Sequence, residues 1–155
     1  MSSATIRLIR HGSGAPSLRL GLGPGLRPVG AVAQLRRLFD QESFWAAGRR
    51  PEGLRRMLRG SQAAVSAWEG DRLVGFGRAT SDGAYRAVLW DVVVAGDYKG
   101  RGLGRRLVEA LLETPALART ERVYLMTTNS AGFYERLGFR SKESQNLMVK
   151  EKTSG

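Results

Sequence analysis

The sequence predicts an α/β domain built on a mixed central sheet of six to seven strands, with an antiparallel N-terminal half, a parallel central pair and about four helices. Residues 88–94 form an apolar, largely β-branched run interrupted only by Asp91, which is typical of a central strand covered on both faces. From Leu103 onward the apolar residues recur at helical spacing. A glycine-rich loop joins the two patterns, and the helix that follows it predicts a crossover to a parallel strand.

The remaining elements follow from local patterns and turn residues. In chain order we expect strands at 17–20, 63–68, 73–80, 84–94, 122–126, Phe139 and 147–149. The expected helices are 28–42, 51–59, 102–113 and 130–137. Pro28 and Pro51 suit the first turns of the first two helices, and Gly138 suits the position just past the last one.

The length of 155 residues fits a single domain, which we place at 17–150. The first 27 residues hold no acidic residue and are rich in glycine, serine and arginine. We therefore expect 1–16 to be a flexible basic tail and 151–155 to be a frayed terminus. His11, the single histidine, falls in this tail and is expected to be an exposed bystander.

The composition excludes several kinds of site. Without cysteine there is no disulfide, thiolate metal site or cysteine nucleophile, and one histidine cannot build a histidine-based metal cluster. We therefore predict no metal. No apolar run approaches the roughly 20 residues that span a bilayer, and the N-terminus lacks the apolar core of a signal peptide. These patterns predict a soluble, cytoplasmic protein that does not enter a membrane.

The formal net charge of +11 attracts anions in general. Of the 25 basic residues only four are lysine, and arginine suits planar, bidentate contact with phosphates or carboxylates. This positive charge would attract a nucleic acid, a membrane surface or a phosphate-rich cofactor. The charge alone does not choose among the three.

The glycine-rich loop narrows the choice among these three anionic partners. Its candidate anion-binding residues are Lys99, Gly100, Arg101, Gly102, Leu103, Gly104 and Arg105. Glycines let a ligand approach the backbone, and the free N–H groups of a helix's first turn favour an anion. Cations at a helix N-terminus cost about 0.3–1 kcal/mol each, a penalty that a bound polyanion would reverse. The spacing matches neither the Rossmann fingerprint nor the P-loop.

Lys99-x-x-Gly102-x-Gly104 resembles the Arg/Gln-x-x-Gly-x-Gly/Ala motif of the GCN5-related N-acetyltransferases (GNAT), with lysine in place of the usual first residue. Residues 129–139 resemble the family's Phe/Leu-Tyr-x-x-x-Gly-Phe segment in the correct order. The resemblance implies the GNAT fold and a loop that holds the pyrophosphate of acetyl-CoA. It further implies contacts to acetyl-CoA from the backbone of Val92, Val93 and Val94 and from Asn129 and Phe133.

Two residues are candidates for the chemistry. Tyr134 matches the tyrosine that the family is thought to use to protonate the departing CoA sulfur; the alternative is that it only packs against the cofactor. Asp91 is the single carboxylate in the central strand, and burial would raise its pKa toward the range of a general base. It is equally suited to a structural pair with an arginine such as Arg78 or Arg86.

Residues 61–139 resemble more closely the cyanobacterial and plastid branch of the family, which implies a small arylalkylamine such as serotonin, or a protein lysine or N-terminus, as the primary amine acceptor. Phe44, Trp45 and Met57 would line an aromatic amine pocket or belong to the core. An arginine-rich nucleic-acid-binding module is the alternative from another class, but the chain lacks the interleaved aromatics of stacking platforms. A CoA-binding sensor without turnover is a third alternative. The sequence is compatible with a monomer or a homodimer.

Overall fold

The computed structural model describes residues 5–152 and places them in five strands and six helices. The strands, in chain order, are β1 (Arg7–His11), β2 (Ala63–Glu69), β3 (Arg72–Ser81), β4 (Arg86–Val94) and β5 (Arg122–Tyr124). The helices are α1 (Pro16–Arg19), α2 (Ala31–Glu42), α3 (Pro51–Arg59), α4 (Leu103–Glu113), α5 (Pro115–Ala118) and α6 (Ala131–Glu135). Within this part of the chain, no helix is both long and apolar enough to cross a bilayer.

The strands form one mixed sheet in the order β1-β2-β3-β4-β5. The first four pair antiparallel, and β5 pairs parallel to β4 after the crossover through α4. The antiparallel N-terminal half and the parallel central pair are therefore confirmed. Where the chain is long and strongly periodic, at β2, β3, β4, α3 and α4, the predicted bounds agree with the structure to within two residues.

Helices cover both faces of the sheet. On one face Phe39 of α2 packs edge-to-face on Phe76 of β3, with ring centroids 5.8 Å apart. On the other face α4 buries Leu107 and Leu111, and the glycines of β3 allow this helix to come close. A Cβ on Gly77 would lie 2.9 Å from Cδ1 of Leu111. The central strand thus lies between two layers, as its apolar run predicts.

The N-terminal prediction is wrong in two places. Residues 17–20, predicted as a strand, lie largely in α1, for which Pro16 supplies the first residue. The first strand is instead β1, inside the segment predicted to be a tail, and it pairs antiparallel with β2. Half-buried Leu8 and Ile9 pack against the core. Local composition missed this strand because its stability comes from pairing and burial rather than from propensity. Residues 1–4 of the predicted tail lie outside the described residues.

The C-terminal strands predicted at Phe139 and 147–149 are absent from the described residues, so the sheet has five strands instead of six to seven. The side chains of Leu147, Met148 and Val149 are exposed, and the residues around them are polar or charged. So short an apolar run gives little surface to bury. The extra helices are α1 and α5, single turns too short for periodicity to reveal. Residues 153–155 of the predicted frayed terminus lie outside the described residues.

His11 is not an exposed bystander. It lies in β1, half-buried, and its Nε2 is 2.7 Å from Oγ of Ser66. The same hydroxyl accepts a hydrogen bond from the buried indole of Trp68 at 2.8 Å. Burial lowers the pKa of His11 from 6.5 to about 4. The imidazole is therefore neutral in the folded protein at pH values where the unfolded chain would already protonate it.

This difference predicts a pH-dependent stability. Above pH 6.5 His11 is neutral in both the folded and the unfolded state, and the free energy of unfolding has its full value. Between pH 6.5 and 4 this free energy should fall, because the unfolded state binds the proton first. The loss should reach about 3 kcal/mol, at roughly 1.4 kcal/mol per pKa unit. Urea denaturation at several pH values measures it. In His11→Gln this part of the pH dependence should vanish; equal pH slopes for the variant and the parent would contradict the assignment.

Candidate active site

The parallel strands β4 and β5 pair over three residues and then separate. Their register joins Arg86 with Arg122, Ala87 with Val123, and Val88 with Tyr124. Beyond these pairs β4 continues to Val94 while β5 ends. The edge of β4 that faces β5 is therefore left with main-chain groups that a ligand can pair with, in the manner of an added strand.

A β-bulge interrupts β4 at the same level. Phe76 pairs with Val93 and Arg78 with Trp90, so Gly77 alone lies opposite Asp91 and Val92. Asp91 has φ of 55°, an uncommon conformation for a residue with a side chain. Bulges of this kind re-aim side chains and are frequent beside active sites. The sequence analysis did not predict it, although a glycine inside a strand was an available signal.

The glycine-rich loop leads into α4 through two residues with positive φ, Gly100 at 78° and Gly102 at 79°. Arg106 makes the first helical hydrogen bond, donating to the carbonyl of Gly102 at 3.1 Å. The N–H groups before it have no helical acceptor and point out of the helix end. A Cβ on Gly104 would lie 3.4 Å from Cζ of Phe133 and 3.8 Å from Cγ2 of Val94. The backbone at Gly104 is thus bordered by Phe133 and Val94.

The cations of the loop are held by weak, exposed contacts. Nζ of Lys99 lies 2.9 Å from Oε1 of Glu42, the last residue of α2, and Nε of Arg105 lies 2.6 Å from Oε1 of Glu109. The guanidinium of Arg101 lies over the ring of Tyr98, 5.1 Å from its centroid. Exposed ion pairs contribute little to stability. A phosphate can therefore compete for these cations, and the donors together with the open glycine backbone fit a pyrophosphate.

Asp91 turns toward the face of the sheet that carries α2 and α3. Its Oδ1 accepts from Nε1 of Trp45 at 3.1 Å, and its Oδ2 accepts from Nη1 of Arg49 at 3.0 Å and from Nε of Arg78 at 2.8 Å. The Asp91 side chain is only 4% exposed. Both carboxylate oxygens are thus engaged.

Burial alone would raise the pKa of Asp91, as the sequence analysis assumed. The hydrogen bonds and charges of Arg49 and Arg78 outweigh burial and leave that pKa below its usual value. The expectation of a raised pKa is therefore wrong. Of the two predicted partners Arg78 is present, whereas Arg86 pairs with Glu121. Arg49 was missed, because no local pattern indicates a contact across 42 residues.

Tyr134 lies on α6, where its ring packs edge-to-face on Phe133 and Phe139 with centroids 4.9 Å and 5.8 Å away. Burial raises the pKa of the Tyr134 phenol, so the hydroxyl is protonated at neutral pH. The tyrosine borders a cavity of about 1010 Å³ between the separated strands and the C-terminal segment. Aromatic and apolar side chains supply much of the cavity wall, among them Val88, Trp90, Tyr124, Leu125, Met126 and Phe139.

The structure brings three of the predicted residues together. Val94, Gly104 and Phe133 meet where β4, α4 and α6 converge. Val93 is buried, and a methyl group of Val92 packs near Gly77. Asn129 lies at the exposed turn before α6, next to Ser130.

The three residues considered for an aromatic amine pocket differ in their burial. Met57 is half-buried against the core. Phe44 and Trp45 are exposed and so do not belong to the core.

The open edge of β4 and the open N-terminus of α4 together offer main-chain groups to a ligand with an extended arm and a phosphate end. Known families agree, since the profile of the acetyltransferase (GNAT) family matches residues 32–139. The chain belongs to this family. Among residues 5–152 no cluster of three or more histidine or acidic side chains is arranged to hold a metal ion.

Individual relatives extend the comparison. Serotonin N-acetyltransferase 2, chloroplastic, from Oryza sativa subsp. japonica is 34% identical over 113 residues, 70% of this chain and 56% of the rice protein. Histone acetyltransferase TAP1 from Glycine max is 40% identical over 74 residues, 47% of this chain and 32% of the soybean protein. The matched region thus spans less than two thirds of either relative. The name of the rice protein places it in the chloroplast, which gives no support to the cytoplasmic expectation for this chain.

The fold also matches solved structures. A candidate acetyltransferase of the GNAT family from Xanthomonas campestris pv. campestris superposes with a TM-score of 0.73 at 26% identity, covering 97% of this chain and 96% of the other. The match extends over nearly the whole length of both chains. The chain therefore has the GNAT fold.

Proposed function

We propose that this acetyltransferase moves the acetyl group of acetyl-CoA to the primary amine of a small aromatic acceptor, by direct attack within a ternary complex. The observation that carries the acceptor class is the cavity beside Tyr134. Its wall includes Trp90, Tyr124, Met126 and Phe139, and its volume of about 1010 Å³ leaves room for an aromatic ring with a short alkyl chain. The name of the rice relative, a serotonin N-acetyltransferase, is consistent with this class.

The residues of this chain suit the binding of acetyl-CoA. In the proposal, the pyrophosphate lies on the N–H groups of the first turn of α4, with Lys99 and Arg101 close enough to add charge. The pantetheine pairs with the open edge of β4 at residues 92–94. A main-chain N–H of this segment then holds the thioester oxygen as negative charge develops there.

The acetyl transfer needs a neutral amine. An alkylamine with a lysine-like pKa is only about one part in a thousand neutral at pH 7, a deficit of roughly 4 kcal/mol. The aromatic and apolar part of the cavity wall recovers part of it, because desolvation disfavours the ammonium form. The amine nitrogen attacks the carbonyl carbon, the C–N bond forms and the C–S bond breaks. Tyr134 donates its hydroxyl proton to the departing sulfur. The nitrogen gives its proton to solvent water, from which the Tyr134 phenolate regains a proton after the transfer.

A protein lysine is the competing acceptor, since the soybean relative is named a histone acetyltransferase. The charge of this chain argues against a strongly basic protein substrate. With a formal net charge of +11, the chain repels a lysine-rich partner over the whole approach, whereas a small amine carries a single charge. The proposal needs only one copy of the chain and is compatible with a monomer or a homodimer.

An acceptor panel tests the proposal. CoA release is followed with acetyl-CoA and serotonin, tryptamine, a polyamine or a lysine peptide, and products are identified by mass spectrometry. The expected result is that tryptamine and serotonin have kcat/KM values at least about tenfold above that of the lysine peptide, a difference of roughly 1.4 kcal/mol. A preference for the peptide would overturn the small-amine acceptor and leave the acetyltransferase assignment intact.

A further inference from the structure

The cavity beside Tyr134 has a charged side as well as an aromatic one. Three cationic residues from two separate parts of the chain border it, namely Arg122, Arg140 and Lys142. Among the described residues, Glu135 is the one acidic residue on the same wall. All four of these residues are exposed to solvent. The cavity is therefore bordered by more positive than negative charge.

Local hydrogen bonds hold the backbone at Arg140 close to the proposed proton donor. After α6 the chain turns back at Gly138, whose φ is 95°. The N–H of Phe139 then donates to the carbonyl of Tyr134 at 3.0 Å, and the two rings pack with centroids 5.8 Å apart. Arg140 follows Phe139 directly. One of the cations thus lies next in the chain to a ring that contacts Tyr134.

The chain itself does not neutralise the three cations of the cavity. Arg122 lies opposite Arg86 in the register of β4 and β5, and like charges on neighbouring strands repel each other. Glu121, the residue before Arg122, forms its ion pair with Arg86 at 3.0 Å. Within the part of the chain that the structure describes, Arg122, Arg140 and Lys142 form no ion pair. An anionic group in the cavity would offset this repulsion.

The phosphates of acetyl-CoA do not account for these cations. In the proposed function the pyrophosphate lies on the first turn of α4, and none of the residues 99–105 borders the cavity. Helix α4 borders the cavity through Leu112, close to its C-terminal end and about 13 Å along the helix axis from Leu103. The cations of the cavity are therefore available to a different anion.

An acceptor with an acidic group of its own satisfies this charge. A simple ammonium ion in the cavity is repelled by three cations and attracted by one carboxylate. A carboxylate on the same molecule reverses that balance, and the planar guanidinium of arginine binds carboxylates in a bidentate manner. The aromatic wall can still bind the ring of such a molecule.

We propose that the preferred acceptor is an aromatic amine that also carries a carboxylate, as an aromatic amino acid does, and that Arg122, Arg140 and Lys142 bind this carboxylate. This acceptor class rests on the proposed function, because the same cavity binds it. The three cations are determinants of acceptor specificity and take no part in the acetyl transfer itself. An aromatic amine without an acidic group is still a substrate, with a higher KM.

Three acceptors that differ only beside the amine test the carboxylate site: tryptophan, tryptophan amide and tryptamine. The full chain is assayed with saturating acetyl-CoA at low ionic strength. The KM for tryptophan should be about tenfold below that for tryptophan amide, a difference of roughly 1.4 kcal/mol. The amide has nearly the same shape without the charge, so it controls for bulk at the α-carbon. Added salt should reduce the difference.

Arg140→Gln measures the contribution of one cation. The KM for tryptophan should rise about fourfold, whereas the KM values for tryptamine, tryptophan amide and acetyl-CoA should stay close to those of the parent. Arg140→Lys keeps the charge and should recover most of the loss. Arg36→Gln is the matched control, because it removes one positive charge from an exposed position of α2 that does not border the cavity. This control should leave all four KM values unchanged.

The outcomes separate the carboxylate site from the proposed function. If the parent acetylates tryptamine but its KM for tryptophan is no lower than that for the amide, the carboxylate site is wrong and the proposed function stands. The same conclusion follows if Arg140→Gln and Arg36→Gln change the KM for tryptophan equally, or if neither changes it. If the parent acetylates only a lysine peptide, both are wrong. A low KM for tryptophan that rises selectively in Arg140→Gln supports both.

Discussion

Replacing Tyr134 by phenylalanine is expected to lower kcat by about 10²-fold or more, the range that general acid catalysis supplies. The ring contacts to Phe133 and Phe139 remain in the variant, so the fold and the affinity for acetyl-CoA should change little. Only the hydroxyl is lost; in the parent it is protonated at neutral pH, as for any tyrosine, and burial raises its pKa further. Single-turnover rates of acetyl transfer with saturating amine measure the effect on the chemical step.

Tyr124→Phe is the matched control for this experiment. Tyr124 borders the same cavity from β5, and its replacement also removes one phenolic hydroxyl. The expected rate lies within about threefold of the parent, as for a residue outside the chemistry. If both variants lose activity equally, the loss reflects the cavity wall and Tyr134 is not the proton donor. If neither loses activity, the sulfur leaves without help from this side chain.

Replacing Gly104 by valine is expected to weaken acetyl-CoA binding by about 10²-fold. The added Cβ would lie 3.4 Å from Cζ of Phe133 and 3.8 Å from Cγ2 of Val94, and we expect the branched side chain to crowd a phosphate bound at the first turn of α4. Losing one or two hydrogen bonds to a charged phosphate costs about 2–3 kcal/mol, which corresponds to this change in Kd. Isothermal titration with acetyl-CoA gives the affinity directly, without any acceptor.

Gly53→Val controls for the effect of a β-branched residue in a helix. Gly53 lies inside α3, where a Cβ meets nothing within 4 Å, and it is remote in sequence from the loop. This variant should bind acetyl-CoA as the parent does. Unchanged binding by Gly104→Val would mean that the phosphates do not lie on this helix end.

The elements that the sequence predicted correctly are those with a strong pattern of their own. Residues close together in the sequence carry the signal in each case. The three cases are the apolar run of β4, the turn 69–72 between β2 and β3, and the helical spacing of the apolar residues of α4. β1 and the C-terminal segment lack such a signal. β1 depends on pairing with β2, whereas 147–149 is apolar but stays exposed in the structure.

The candidate site also contains features with a local sequence pattern and features without one. The glycine loop and Tyr134 could be proposed from the sequence because the spacing of two motifs along the chain resembles that of the family. Asp91 was found as a residue, but its surroundings were not, because Trp45 and Arg49 approach it from 46 and 42 residues away. Its positive φ depends on the register between β3 and β4, which no local pattern specifies. The assignment of a base therefore could not be made from the sequence.

The most direct test of the ternary complex is the affinity of a bisubstrate conjugate, in which tryptamine is joined through an acetyl bridge to the sulfur of CoA. If cofactor and aromatic amine bind side by side at β4, the conjugate should bind about 10²-fold tighter than CoA alone, because the second contact becomes intramolecular. A conjugate that binds no tighter than CoA would contradict an aromatic acceptor site next to the thioester.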